Sequence, residues 1–78
     1  MEIITKQLLV YSIQSNMVAA TVVKTKVNVL LSSGKMMDIL CEKQEEAEEV
    51  WTKLCYYSPG LDRNNAFDLK FEVKIRIS

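Results

Sequence analysis

One stretch near the end of the chain constrains the fold more than any other. Residues 67–77 place a large apolar side chain at every odd position and a charged side chain at every even position. Successive side chains of a β-strand point to opposite faces, so this alternation predicts a strand with one face on a core and the other in water. Fully extended, such a run spans roughly 37 Å at about 3.4 Å per residue, whereas a compact chain of this length is only about 30 Å across. We therefore expect the strand to bend, to contain a bulge or to lie against a second chain.

Three earlier segments also carry strand patterns. Residues 3–14 are rich in branched side chains and apolar on both faces, which predicts a strand that is covered on both sides. A turn signal at 15–16 leads to residues 17–31, where mostly apolar side chains occupy the odd positions and predict a second strand. The Ser-Ser-Gly-Lys sequence at 32–35 predicts a glycine turn with positive φ and a third, short strand at 36–41.

The apolar period then changes to that of an α-helix. Apolar side chains recur at offsets of zero, three, four, seven and eight, namely at Ala47, Val50, Trp51, Leu54 and Cys55. Glutamates before this stripe and the Ser-Pro-Gly sequence after it mark the two ends, so we predict a helix over residues 42–57. A competing interpretation starts the helix near Lys35, because Met36, Met37 and Leu40 also project toward the stripe.

These elements predict one small α+β domain over residues 1–78 in the order β-β-β-α-β. The sheet is expected to be mostly antiparallel, with the amphipathic helix packed on one face. A right-handed crossover would place the last strand beside and parallel to the first, giving the strand order 3-2-1-4. The composition, with 49% hydrophobic and 26% charged residues, is that of an ordinary globular chain.

The sequence is poorly supplied for catalysis. It contains no histidine, and its two cysteines, Cys41 and Cys55, have no evident base nearby in the sequence. We expect Cys55 in the core and Cys41 as apolar packing where strand meets helix. A connecting helix would separate the two thiols by about 21 Å, too far for a disulfide. With no signal peptide, membrane span, phosphate-binding loop or zinc spacing, we expect a cytoplasmic protein that is not an enzyme and uses no cofactor or metal.

Candidate partner contacts lie on the helix and in the segment after it. The helical glutamates form an acidic face that can meet water, a hard cation or a basic partner, and the exposed Tyr56 is a reasonable contact anchor. The loop at 58–66 offers polar recognition groups, although the same residues also suit turn geometry. The predicted partner-binding residues are Glu45, Glu46, Glu48, Glu49, Tyr56, Asp62, Arg63, Asn64 and Asn65.

Two other classes of binding protein stay open. If the second and fourth strands share an exposed face, their basic side chains form a stripe for nucleic acid that Asp68 and Glu72 interrupt. The residues of that stripe are Lys24, Lys26, Lys70, Lys74 and Arg76. Alternatively, a pocket at a dimer seam would hold a small ligand such as a nucleotide.

The expected areas of helix and sheet favour self-association. One helix of about 15 residues covers a strip roughly 10 Å by 22 Å, whereas four strands make a sheet about 19 Å wide and longer still. We therefore expect a homodimer through the first and last strands, acting as a non-catalytic module that binds or occludes another protein. In format alone, without a shared motif, the chain resembles small accessory proteins of bacteriophages and mobile elements, many of which inhibit host defence.

Overall fold

A computed structural model describes residues 2–56 and 67–77 of the protein. Its elements, in chain order, are β1 (Glu2–Leu8), α1 (Val10–Asn16), β2 (Met17–Val23), β3 (Lys26–Leu31), β4 (Met36–Leu40), α2 (Gln44–Tyr56) and β5 (Phe67–Ile77). The predicted α+β class, the mostly antiparallel sheet and the packed amphipathic helix are confirmed. No helix within the described ranges is long and apolar enough to cross a membrane.

The five strands form one sheet in the order β1-β5-β4-β3-β2, and every neighbouring pair is antiparallel. The predicted order 3-2-1-4, with a parallel last strand, is wrong. The crossover rule behind that prediction applies to parallel neighbours, whereas β5 runs antiparallel to both β1 and β4 and lies between them. This position pairs the longest strand on both edges, which an edge position would not.

The first predicted strand is in fact a strand followed by a helix. β1 ends at Leu8, and α1 follows, with the N–H of Ile13 donating to the Leu9 carbonyl at 3.0 Å. Val10 is buried and Ile13 packs against the core, a spacing of three residues that suits a helix face. The side-chain amide of Gln14 donates to the Leu54 carbonyl at 2.9 Å and ties α1 to α2. Tertiary contacts thus override the β-propensity of this branched segment.

β1 also differs from the prediction in its surroundings. A strand covered on both faces was expected, but β1 is an edge strand, and β5 is its one partner among the described strands. Ile3 and Ile4 point to opposite faces, and their side chains are 46% and 59% exposed. Apolar surface therefore remains uncovered at this end of the sheet.

The second predicted strand is split by a turn into β2 and β3. Val23 pairs with Lys26, and Lys24 takes a φ of 57° at the first position of the two-residue turn between them. β3 follows the predicted inward pattern, with Val27 and Val29 fully buried. In β2 the pattern is reversed, because the two-residue turn pairs Ala20 and Val22 with the buried Val29 and Val27, so the even positions of β2 face the core.

The later elements agree with their predictions. Gly34 has a φ of 90° in the turn before β4. β4 excludes the alternative in which the helix begins near Lys35. α2 spans Gln44–Tyr56 and buries Ala47, Val50 and Leu54, although Cys55, expected in the core, is exposed.

The length of β5 is accommodated by a bulge. Thr5 pairs with Val73, but two residues later Gln7 pairs with Asp68, so five steps along β5 oppose two steps along β1. Such an excess bends the strand, and the chain measures only 32 × 30 × 22 Å. Because the bulge bends β5, the length of this strand no longer requires a second chain.

Both helices contribute to one hydrophobic core against the sheet. Among the described residues, the buried side chains are Leu8, Val10, Val27, Val29, Met37, Ile39, Ala47, Val50, Leu54, Leu69 and Val73. The sheet face toward these helices is called the inner face below, and the opposite face the outer face. The inner face is therefore covered by two helices rather than by the single predicted one.

Candidate protein-binding site

One glutamate in the acidic segment of α2, Glu46, bonds to the backbone at the start of the helix. Glu46 Oε1 accepts hydrogen bonds from the backbone N–H groups of Glu42 at 3.1 Å and Lys43 at 3.3 Å. These N–H groups precede the helix and lack partners within it, so Glu46 acts as an N-terminal cap. Its carboxylate is therefore engaged by the helix itself.

The other three glutamates form one exposed face of α2. At 100° per residue, Glu45, Glu48 and Glu49 lie within an arc of about 100°, opposite the buried stripe. Thr52 and Tyr56 lie within the same arc. The ion pairs found within the described part of the chain all involve Glu2, so none compensates these three carboxylates there. We call Glu45, Glu48, Glu49, Thr52 and Tyr56 the acidic face.

Lys53 lies four residues after Glu49 on α2, a spacing that suits an ion pair, but no such pair occurs among the described residues. Lys53 Nζ instead lies 4.7 Å from the centre of the Phe67 ring, in a cation–π contact between α2 and β5. Lys53 lies only about 40° from Glu49 around the helix, at the margin of the acidic face, but its ammonium group contacts the Phe67 ring rather than a carboxylate. The negative charge of that face is therefore retained.

Trp51 lies between the acidic face and the core. Its indole Nε1–H donates to the backbone carbonyl of Ala20 in β2 at 2.9 Å. Its ring meets that of Tyr56 edge-on, with centroids 5.7 Å apart and planes at 78°, and Tyr56 is itself 72% exposed. Because β2 is the other edge strand of the sheet, Trp51 covers a backbone group that would otherwise face a neighbour.

A groove of about 450 Å³ runs between the edge of β2 and the flank of α2. Its lining residues are Ala20, Thr21, Val22, Glu48, Trp51 and Thr52. Glu48 and Thr52 belong both to the groove and to the acidic face, so a charged rim adjoins an aromatic wall. We call this cavity the α2–β2 groove.

Sequence reasoning identified the acidic face and Tyr56 but missed the groove and the role of Trp51. Trp51 belongs to the apolar stripe predicted for the helix but is only half-buried. Its position at the margin of the apolar stripe, next to Glu48 on the helix surface, is the one signal in the sequence that could have indicated a boundary role. The predicted residues Asp62, Arg63, Asn64 and Asn65 lie outside the described residues.

The outer face of the sheet carries the predicted basic stripe only in part. Lys26, Lys74 and Arg76 are on this face, whereas Lys24 is in the β2–β3 turn. Glu2 pairs with Arg76 at 2.8 Å and with Lys74 at 3.8 Å. The hydrogen bond from Arg76, with the nearby charge of Lys74, lowers the pKa of Glu2 below its usual value. Part of the positive charge is thus neutralised.

A second apolar groove opens on the inner face at the β1 end of the sheet. It has a volume of about 320 Å³. Its apolar lining consists of Ile3, Leu9, Ile13, Met37, Ile75 and Ile77. α1 forms one wall, while α2 packs on β2 and β3 at the other end of the sheet. We call this cavity the inner-face groove.

The two thiols occupy different environments. Cys41 packs against the core just after β4, as predicted. Burial, reinforced by the charge of Glu46, raises the pKa of the Cys41 thiol to about 11. A thiol with so high a pKa is protonated near neutrality and is a poor nucleophile.

Within residues 2–56 and 67–77, no group of three or more acidic or cysteine side chains is placed to hold a metal ion. Comparison with known proteins finds no matching family model, curated protein or solved structure.

Proposed function

We propose that the chain is a non-catalytic protein-interaction module that binds and occludes a basic segment of a partner protein. The observation that carries this proposal is the acidic face with three uncompensated carboxylates beside a groove walled by Trp51. Four of the nine residues predicted to contact a partner, Glu45, Glu48, Glu49 and Tyr56, belong to this acidic face.

Electrostatics supports a basic partner. Three carboxylates within one arc of α2 produce a negative field that attracts and orients a positive surface. Their carboxylates are exposed and can accept charge-assisted hydrogen bonds from lysine or arginine. Glu46 does not contribute, because its carboxylate caps the helix.

The aromatic groups favour arginine within that basic segment. A guanidinium group stacks on tryptophan or tyrosine and simultaneously forms paired hydrogen bonds with a carboxylate. Trp51 and Glu48, three residues apart on α2, provide this combination in the α2–β2 groove, and Tyr56 contacts the Trp51 ring. Aromatic side chains at the margin of such a groove are typical anchors of a protein interface.

The proposal retains self-association of the chain. The inner-face groove and the exposed isoleucines of β1 are apolar surface that neither helix covers. Contiguous uncovered apolar surface on a small domain is typical of an interaction site. It lies at the β1 end of the sheet, far from the acidic face along the strand order, so the chain can associate with itself and still bind a partner.

Capture by the immobilised chain tests the proposal. Wild-type protein, the triple variant Glu45→Gln/Glu48→Gln/Glu49→Gln and the control Glu72→Gln, whose carboxylate lies on β5, are incubated with the same lysate. The captured protein is identified by intact mass, purified and titrated against each variant by calorimetry. We expect similar affinity for wild type and Glu72→Gln, and a loss of about tenfold or more for the triple variant.

Equal affinity for all three proteins contradicts the assignment of the acidic face. Recovery of nucleic acid alone, with binding that weakens on Lys74→Gln and strengthens in the triple variant, contradicts protein binding and favours the outer face. A ligand-dependent rise in melting temperature across a nucleotide panel, without protein capture, favours the small-ligand alternative.

A further inference from the structure

We infer that β1 pairs antiparallel with β1 of a second copy of this chain, about a two-fold axis at Ile4, to join two five-stranded sheets into one of ten strands. This inference rests on the proposed self-association and names the surface and register that produce it.

The direction of the backbone groups in β1 follows from hydrogen bonds across the sheet. The N–H of Cys41 donates to the Thr25 carbonyl at 2.9 Å, so this pair is a hydrogen-bonded one. In an antiparallel ladder such pairs alternate with non-bonded ones. Two residues before Cys41, Ile39 therefore also turns its N–H and C=O groups toward β3. The residues on either side of Ile39, Asp38 and Leu40, turn theirs toward β5.

The same alternation carries across β5 to β1. Asp38 and Leu40 pair with Arg76 and Lys74, which leaves Val73 and Ile75 facing the other way, toward β1. Their partners, Thr5 and Ile3, therefore face β5. The backbone N–H and C=O groups of Glu2 and Ile4 consequently point to the free edge of the sheet, and Lys6 follows at the register shift between Thr5 and Gln7.

A hydrogen bond at the opposite edge of the sheet supports these deduced directions of the backbone groups. Applied across β3 to β2, the same alternation turns the Ala20 carbonyl toward the free edge there. That carbonyl is the one that accepts the hydrogen bond from Trp51. The deduced directions therefore agree with an observed bond at the opposite edge.

The two edges of the sheet are treated differently. The edge of β2 is covered by Trp51, whereas no side chain among the described residues bonds to the backbone of Ile4 at the edge of β1. The N–H and C=O of Gln7 both bond the Thr5 hydroxyl, at 3.0 and 3.2 Å. The segment available for pairing is thus residues 2–6, and Ile4 is its centre.

Charge selects the register. With Ile4 opposite Ile4 of the second copy, Glu2 of each chain lies opposite Lys6 of the other. A shift of two residues either way loses the opposition of Glu2 and Lys6 and leaves one of them unpaired. Opposite charges directly across an antiparallel pair stabilise it. Although Glu2 already contacts Arg76 and Lys74, a carboxylate has enough lone pairs to accept from Lys6 as well.

Apolar burial on both faces accompanies this register. On the outer face, the two Ile4 side chains become neighbours across the axis. On the inner face, Ile3 of each copy lies opposite Thr5 of the other, which joins the two inner-face grooves into one apolar surface across the seam. Both exposed isoleucines of β1 are then covered.

Sedimentation equilibrium over a range of concentrations tests the assignment. We expect wild type to approach twice the chain mass of 8.9 kDa. Ile4→Lys and Lys6→Glu place like charges across the axis, so each raises the dimer dissociation constant by about tenfold or more. Lys35→Glu, with the same charge change in the turn before β4, is the matched control and leaves the constant unchanged. Circular dichroism melts verify that each variant is folded.

Crosslinking of introduced cysteines determines the register of the β1–β1 pairing directly. In a Cys41→Ser/Cys55→Ser background, Ile4→Cys brings two thiols together across the axis, and a short bis-maleimide links them. Lys6→Cys thiols lie about 14 Å apart along the strands and are not linked by the same reagent.

A wild type that is monomeric at every concentration overturns this inference and the proposed self-association, and leaves the acidic face to be tested by partner capture. A dimer that resists Ile4→Lys and Lys6→Glu, and in which Ile4→Cys is not linked, overturns the β1 assignment alone.

Discussion

Replacing Trp51 with phenylalanine measures how much the closure of the β2 edge stabilises the fold. The Trp51→Phe variant keeps an aromatic ring beside Tyr56 but removes the N–H that donates to the Ala20 carbonyl at 2.9 Å. A hydrogen bond of this kind contributes about 1 kcal/mol net. The smaller ring forfeits up to about 1 kcal/mol more of half-buried contact. We expect the free energy of unfolding to fall by about 1–2 kcal/mol.

Thermal and urea unfolding followed by far-ultraviolet circular dichroism measure this loss, because Trp51 is the single tryptophan and fluorescence would disappear with it. For a domain of this size, 1 kcal/mol corresponds to about 4–8 °C, so Tm should fall by about 4–16 °C. Tyr56→Phe, which removes only an exposed hydroxyl, is the matched control and should stay within about 0.5 kcal/mol of wild type. A Trp51→Phe variant as stable as this control would refute the stabilising role of the Trp51–Ala20 bond.

Three further predictions concern α2 and the thiols. Leu54→Ala removes a fully buried side chain and should cost about 2–5 kcal/mol in urea unfolding, and a smaller loss would contradict the packing of α2 on the sheet. Glu46→Ala removes the N-terminal cap and should cost about 0.5–2 kcal/mol, whereas Glu46→Gln, which keeps the acceptor oxygen, should cost less. In a thiol-reagent assay the exposed Cys55 should react first, even though partial burial also raises its pKa. Cys41, with a pKa of about 11, should react slowly until the pH approaches that value, and equal rates for the two thiols near neutrality would contradict its burial.

The raised pKa of Cys41 also predicts how the free energy of unfolding changes with pH. The folded thiol keeps its proton up to a pKa of about 11, whereas its unfolded value is 9.0. Between these two values the unfolded chain binds fewer protons than the folded one, so stability contributed by this group is present below about pH 9 and is lost as the pH rises toward 11. The comparison of wild type with Cys41→Ala isolates this effect from other groups that titrate in the same range.

Local periodicity determined the elements that sequence reasoning placed correctly. The alternation in 67–77 and the stripe in α2 are properties of a single segment, because side-chain direction repeats every two residues in a strand and every 3.6 in a helix. The same helix positions also revealed the acidic face, since residues three and four apart share a side of the helix. These features needed no knowledge of the rest of the chain.

Segments with mixed signals were decided by tertiary contacts. Val10 and Ile13 are compatible with a strand or a helix, and the helix forms because it buries them against the core and ties Gln14 to α2. The inward positions of β2 reversed because the chain turns at residues 24–25, which pairs the even positions of β2 with the odd positions of β3.

The sequence by itself determined the α+β class, the long alternating strand, the amphipathic helix and its acidic face, because each depends on short-range repetition of side-chain direction and charge. The tertiary structure alone decided that β5 lies between β1 and β4, that Trp51 reaches Ala20, and that no described strand pairs with the outer edge of β1. These outcomes depend on which distant backbone groups pair, and hydrogen bonds between segments far apart in the chain leave no periodic trace in either one.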